Sequence, residues 1–266
     1  MRVCTALLCL ICLAAPARAD TAAPWLDDQA LAREAQDAIR TGGILALEKY
    51  RDRLERAVAA APGSIALAEG EKPTAFILAD GMTETMVAAA LITPEKTGAK
   101  ETVTLDNPYP KISFFLASYY DEIEKPAEAL RVLDLGLAAS VVPDLDIGAD
   151  RVFVLVERGA ALMALHRNQE ALDNEDRVLK MNDLDDHIKA VLQRGRGFTL
   201  TELGKLDDAE EAYKTSLNYD PENEHAKSEL RYIAGLKLGA TPSTASALTK
   251  VQKTPDAPPT PSGTPQ

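Results

Sequence analysis

Along most of this chain apolar residues recur at intervals of three and four, the spacing of one face of a helix. Over residues 25–61, Leu26, Leu31, Ala38 and Ile39 lead up to a break at Thr41-Gly42-Gly43. Ile44, Leu47, Leu54 and Val58 then resume the helical face until Pro62-Gly63 ends it. This predicts a hairpin of two helices. Over residues 64–107 the pattern changes. Residues 74–78 are a short apolar run, Asp80-Gly81 is a turn signal, and residues 101–105 alternate polar with apolar. Such signals predict a small insertion of two or three strands. Residues 82–92 fit a helix equally well, since the run from Ala88 to Leu91 favours one. From residue 109 to about residue 238 the chain reads helix, turn, helix, repeatedly. After Gly239 it is rich in Pro, Thr, Ser and Ala without apolar periodicity. Such a segment buries too little surface to offset its chain entropy and is expected to be disordered.

The N-terminus has a different character. Arg2 precedes an apolar run over residues 3–15, and Ala17-Arg18-Ala19 places small residues where a signal peptidase reads them, just before Asp20. This is the layout of a secretory signal peptide. The run is about 13 residues, short of the roughly 20 that span a bilayer. An uncleaved anchor helix and a lipid anchor are the alternatives, but the residues before Cys9 and Cys12 lack the small side chains a lipoprotein peptidase prefers. No later segment approaches transmembrane length, so no membrane insertion of the mature chain is expected. Cys4, Cys9 and Cys12 all lie in the leader. The mature protein would then hold no disulfide and no thiolate, as suits an oxidising compartment. The expected location is the periplasm of a Gram-negative cell, or outside the cell.

The chain is thus divided into a signal peptide (residues 1–19), an N-terminal helical hairpin (20–62), an irregular or small β insertion (63–108), a helical array (109–239) and a disordered tail (240–266). Charge narrows the partners. Lys and Arg number 29 against 41 Asp and Glu, a net charge of −12, and loss of Arg2 and Arg18 with the leader makes the balance more acidic still. That argues against nucleic acid and anionic lipid, which need clustered cations.

The helical stretch repeats itself. Superposing Ala129, Ala171 and Ala209 brings Ala117, Gly159 and Gly197 into one column. Leu137, Leu179 and Leu217 form another, as do Tyr120, Leu162 and Leu200, and Ile123, Leu165 and Leu203. The small columns would let the two helices of each unit approach closely. The large ones would fill the space to the next pair, because no single pair can bury its own apolar face.

These residues resemble the tetratricopeptide repeat. Gly197, Leu200, Gly204, Ala209, Tyr213, Leu217 and Asp220-Pro221 follow its pattern. The middle unit matches in Gly159, Leu162, Ala171 and Leu179, with His166 where the turn Gly belongs. The first matches in Ala117, Tyr120, Ala129 and Leu137, with Glu124 at the turn. The resemblance implies an all-α fold, an α-solenoid of about three helical hairpins. Residues 222–238 would be a final capping helix, and the hairpin ending at Pro62 a degenerate or separate unit. The family's period is about 34 residues, and the units here recur at roughly 40. The longer spacing places extra residues at 141–149 and around 183–187.

Enzymatic chemistry finds little support. Gly195-Arg196-Gly197 begins a GxG, but no Gly follows three residues on and no strand precedes it. The acidic groups Asp144, Asp146, Asp150 and Asp183, Asp185, Asp186 lack the Gly and the final acid of a calcium loop. His166, His187 and His225 make no HExxH zinc motif, and Ser64 is not in a G-x-S-x-G elbow. No catalytic, metal or cofactor-binding residue is therefore assigned.

The resemblance implies a groove lined by first helices that holds a protein or peptide. One variety of the family clamps a C-terminal carboxylate with Lys, Asn and Arg. The matching positions here are Phe114, Ser118, Glu157, Val191 and Gly195, so the clamp is absent. The expected binding face carries Lys111, Phe114, Phe153, Glu157, Arg194 and Phe198, flanked by Asp121 and Val156. The same aromatics would serve equally to pack neighbouring helices. The expected function is an exported protein-interaction module, an adaptor or envelope assembly factor. The alternatives are a structural, self-associating subunit and an enzyme with its chemistry in residues 63–108.

Overall fold

A computed structural model describes residues 24–61, 65–68, 73–140, 145–146, 148–182 and 184–241. Residues 1–23, with the three cysteines and the expected cleavage site, and the tail beyond residue 241 lie outside the described residues. Among those described, no helix is long and apolar enough to cross a membrane.

Helix α1 (Pro24–Gly42) buries Leu31, Ala35 and Ala38, one stripe at helical spacing. The chain turns at Gly43, whose φ is 73°. A second α-helix does not begin at Ile44. Residues Ile44–Lys49 form a 3-10 turn, and α2 (Arg51–Ala59) follows. In the tighter 3-10 winding residues three apart eclipse. Ile44 and Leu47 therefore share a face, and both pack into the main core.

The insertion uses both of its sequence readings. Strands β1 (Ile65–Ala68), β2 (Thr74–Ala79) and β3 (Glu101–Asp106) form one sheet in that order. β1 and β2 pair antiparallel, with Ala66 opposite Phe76. β2 and β3 pair parallel, with Ile77 opposite Thr104. Parallel neighbours need a crossover, and α3 (Gly81–Leu91) with the short α4 (Pro94–Thr97) supplies it. Leu78, Phe76 and Leu105 of the sheet meet Trp25 and Tyr109, which seats the insertion where α1 and the array begin.

The array comprises α5 (Tyr109–Glu122), α6 (Pro126–Ala138), α7 (Arg151–Ala164), α8 (Asn168–Val178), α9 (Asp186–Glu202), α10 (Leu206–Tyr219) and α11 (Glu224–Lys237). It is an all-α solenoid carrying a small sheet at one end. Ala117, Gly159 and Gly197 are buried, as are Ala129, Ala171 and Ala209. The three hairpin turns share one backbone form. Lys125, Arg167 and Lys205 donate N–H to Tyr120, Leu162 and Leu200 at 2.8, 2.9 and 2.9 Å. Glu124, His166 and Gly204 donate to Asp121, Met163 and Thr201 at 3.0, 2.9 and 3.0 Å. This is the Schellman closure, whose next-to-last residue is left-handed. The φ values there are 58°, 56° and 72°.

Residues 186–187, expected in an extra inter-unit loop, belong instead to a helix. The Asp185 carboxylate accepts the Ile188 N–H at 2.7 Å. An acid in that position caps a helix N-terminus. Helix α9 therefore starts at Asp186 and runs 17 residues against 14 for α5 and α7.

The largest core cluster joins Leu31, Leu47 and Leu54 to Leu116, Leu133 and Leu162. The N-terminal helices thus share one interior with the first two repeats. Polar ties cross the same boundary. Arg131 Nη2 meets both Glu55 oxygens at 2.6 and 2.7 Å, Tyr120 donates to Glu55, and Tyr119 donates to Glu48.

Candidate functional site

The first helices of successive hairpins lie side by side, and two seams between them behave differently. Lys111, Phe114 and Ser118 form one stripe of α5. They face Asp150, at the start of α7, and Phe153 and Glu157 within it. Lys111 Nζ lies 3.3 Å from Asp150 Oδ2, the Phe114 and Phe153 rings are 6.1 Å apart, and Ser118 Oγ donates to Glu157 Oε1 at 3.0 Å. This ladder fastens α5 to α7. Phe114 also packs against the main core, whereas Phe153 keeps 46% of its surface exposed.

The next seam, between α7 and α9, is open. A groove of about 710 Å³ runs along it to the start of α11. Val156, Ala160 and Met163 of α7 form one wall, and Val191, Arg194 and Phe198 of α9 the other. Of the residues expected on the binding face, Glu157, Arg194 and Phe198 line this groove. Lys111, Phe114 and Phe153 lie along the ladder outside its lining. Arg194 Nη1 is 3.3 Å from Asp220 Oδ2, the Asp of the closing Asp-Pro.

The floor holds residues that sequence reasoning missed. Glu175 of α8 is 2% exposed yet lines the groove. Its Oε1 accepts a long hydrogen bond from Thr199 Oγ1 at 3.4 Å, and its Oε2 has no partner. Burial pushes its carboxyl up to about 8. The Thr199 bond and the Arg196 charge pull the other way, and the Asp176 charge adds to the rise. Tyr213 of α10, outside the groove lining, is fully buried with its hydroxyl unpartnered. Burial raises its pKa, and the charges of Glu229 and Glu175 raise it further. Glu229 of α11 also lines the groove, and burial pushes its carboxyl up against the lowering effect of His225.

A signal for Glu175 was present in the repeat columns. The same offsets that superpose Ala129, Ala171 and Ala209 superpose Leu133, Glu175 and Tyr213. Leu133 and Tyr213 are core residues, so an acid in that column is the exception. Gly195 is what accommodates it. A Cβ on Gly195 would sit 2.7 Å from Glu175 Oε1.

Among the described residues, Asp146, Asp80 and Glu84 are engaged in structural contacts. Asp146 accepts from Arg151 at 2.8 Å and from Arg177 at 2.6 and 2.7 Å. Asp80, after β2, accepts the Asp150 N–H at 2.8 Å, and its own carbonyl accepts the Ala149 N–H at 3.0 Å. Burial, with the Asp150 charge next, pushes Asp80 up to about 7. Glu84 of α3 accepts from the Asp80 N–H and from Ser140. These bonds stitch the insertion to the segment entering α7.

Three hairpins with small residues at matched contacts, closed by one turn form and capped by a last helix, define the array. It is tetratricopeptide-like. No protein-family model matches the chain, and no curated protein matches it. Among solved structures it is similar to the first TPR domain of the human RPAP3 protein. The identity is 20%, the match covers 49% of this chain and 93% of that one, and the TM-score is 0.42. It is also similar to the second TPR domain of human RPAP3, solved in complex with an HSP70 peptide. There the identity is 20%, the coverage 47% and 98%, and the TM-score 0.39. These likenesses are loose, and the tetratricopeptide-like character rests on the chain's own columns and turns. At the family's carboxylate-clamp positions this array has Ser118 bonded to Glu157, and Gly195 making room for Glu175. Of those five positions Glu157 alone carries a charge, and it is an acid.

Proposed function

We propose that this chain is an exported protein-interaction module, periplasmic or secreted, that binds a protein or peptide segment in the groove between α7 and α9 and acts as an adaptor or assembly factor. The observation that carries the reading is the open α7–α9 seam. Adjacent first helices are fastened by the Lys111–Phe114–Ser118 ladder on one side but leave about 710 Å³ on the other. Apolar walls with a few polar groups are the usual make-up of a binding cleft. The leader of residues 1–19 supports export. A catalytic reading of the insertion gains nothing from Asp80 and Glu84, because both are engaged by backbone N–H groups and Glu84 also by Ser140. The test is co-purification from envelope extract with the intact chain and with Phe198→Ala. A partner held by the first and lost by the second supports the groove. A partner held equally by both places binding elsewhere.

A self-associating subunit is the second reading. Met82 and Met86, four residues apart on one face of α3, are both largely exposed. The mass of the pure protein in solution over a range of concentrations decides that reading.

A further inference from the structure

We propose that the groove selects a basic segment, seating one Lys or Arg side chain of the partner against the Glu175 carboxyl at its floor. The inference rests on the binding function proposed above and names the chemistry of its ligand. Four observations carry it. First, Glu175 is 2% exposed, lines the groove, and has one oxygen without a partner. An acid left in this state costs stability, and the equivalent positions in the neighbouring repeats hold Leu133 and Tyr213. Second, Gly195 keeps open the space that the carboxyl head occupies. Third, acids outnumber cations along the groove. Asp121, Glu157 and Glu229 line the same groove. Arg196, the cation whose charge reaches Glu175, is held by Asp176 at 2.9 Å, and Arg194 by Asp220. Fourth, Met163 and Phe198 give apolar walls. A Lys stem or an Arg guanidinium can lie along them while its charged end reaches inward.

The groups facing Glu175 are Asp176 on its own helix, Thr199 and Arg196 on α9, and Tyr213 on α10. Without a ligand cation, burial holds Glu175 protonated at neutral pH. A Lys or Arg arriving at its unpartnered oxygen favours the carboxylate, so binding releases a proton.

The experiment selects phage-displayed random dodecapeptides on the full mature chain. Selected peptides are then measured by calorimetry against the wild type, Phe198→Ala and Glu175→Gln, with circular dichroism confirming that each variant folds. The expected result is enrichment of peptides with a Lys or Arg whose replacement by norleucine weakens binding at least about tenfold. With Glu175→Gln that discrimination should vanish. Binding at pH 7 should release about one proton in the wild type and none in Glu175→Gln, read from the dependence of heat on buffer ionisation. If peptides are selected and lost with Phe198→Ala, yet need no basic residue or bind Glu175→Gln as well as wild type, the basic-ligand inference is overturned while the binding function stands. If no selected peptide depends on Phe198, the groove reading itself falls, and this inference with it.

Discussion

The Cβ that Gly197 lacks would lie 2.7 Å from the ring of Tyr213, so α9 and α10 touch at a distance only glycine permits. In an exposed helix Gly→Ala is stabilising by roughly 0.5–1 kcal/mol. Here overpacking wins, because Tyr213 is fully buried among Leu200, Ala209 and Ile233 and cannot step aside. Gly197→Ala is expected to lower stability by about 1–3 kcal/mol, measured by urea denaturation. Gly195→Ala, two residues away, meets the flexible head of Glu175 rather than a ring, and its loss should be distinctly smaller.

The turn residues give a prediction of opposite sign. Glu124 and His166 hold φ of 58° and 56°. That region costs an L-residue roughly 1 kcal/mol and glycine almost nothing. Glu124 is exposed and does not line the groove. Glu124→Gly should therefore raise the melting temperature. Gly204→Ala, at φ of 72°, should lower it. A fall for Glu124→Gly would mean that its side chain contributes more than its backbone costs.

Stability should depend on pH through Glu175. Its carboxyl is raised from 4.5 to about 8 in the folded protein, so the native state binds the proton more tightly than the unfolded chain does. The resulting stabilisation is complete below about pH 4.5. It fades as pH climbs through 8, where the buried carboxylate is forced to ionise. Asp80, raised from 3.8 to about 7, adds a slope of the same sign over a lower window. Between pH 5 and 8 the unfolding midpoint should fall, and Glu175→Gln should flatten part of that fall, an effect of a few kcal/mol. A midpoint rising over this range would show that both acids find counter-charges in the fold.

Much of the fold was legible because the repeat leaves its mark twice, in packing columns and in turns. Ala171 and Ala209 announced a close helix contact by being small, and Gly204 announced a left-handed turn. Glu124 and His166 were placed at the same turn by the columns alone, since neither residue type signals positive φ. The α9 start was misread because the longer spacing was laid to extra residues around 183–187, where Asp185 in fact caps the helix. The geometry of the candidate groove was half legible. Helical spacing put Lys111, Phe114, Phe153, Glu157, Arg194 and Phe198 on first helices, but spacing cannot tell a closed seam from an open one. That depends on whether neighbouring stripes carry complementary partners, as Lys111 and Asp150 do. Glu175 escaped because a second-helix acid reads as surface until its column is compared with Leu133 and Tyr213.

The two seams can be separated by mutation. Lys111 and Asp150 are a partly exposed pair, and such pairs contribute about 0–1 kcal/mol. Lys111→Ala should leave folding nearly unchanged and, since the residue lies outside the groove, leave partner capture unchanged too. Phe114→Ala removes a ring packed against Phe115, Phe153 and the core. Its effect should be on stability, by about 3 kcal/mol at most given its partial burial. Phe198→Ala and Glu157→Lys act on the groove. The first strips an apolar wall and the second reverses a rim charge and breaks the Ser118 bond. Both should weaken capture of an envelope partner while the helical signal in circular dichroism persists. The informative comparison is Lys111→Ala against Glu157→Lys, on facing helices one turn or two apart. Equal loss of the partner in both would assign binding to the ladder surface with exposed Phe153 at its centre. Loss in Glu157→Lys alone assigns it to the open seam above Glu175.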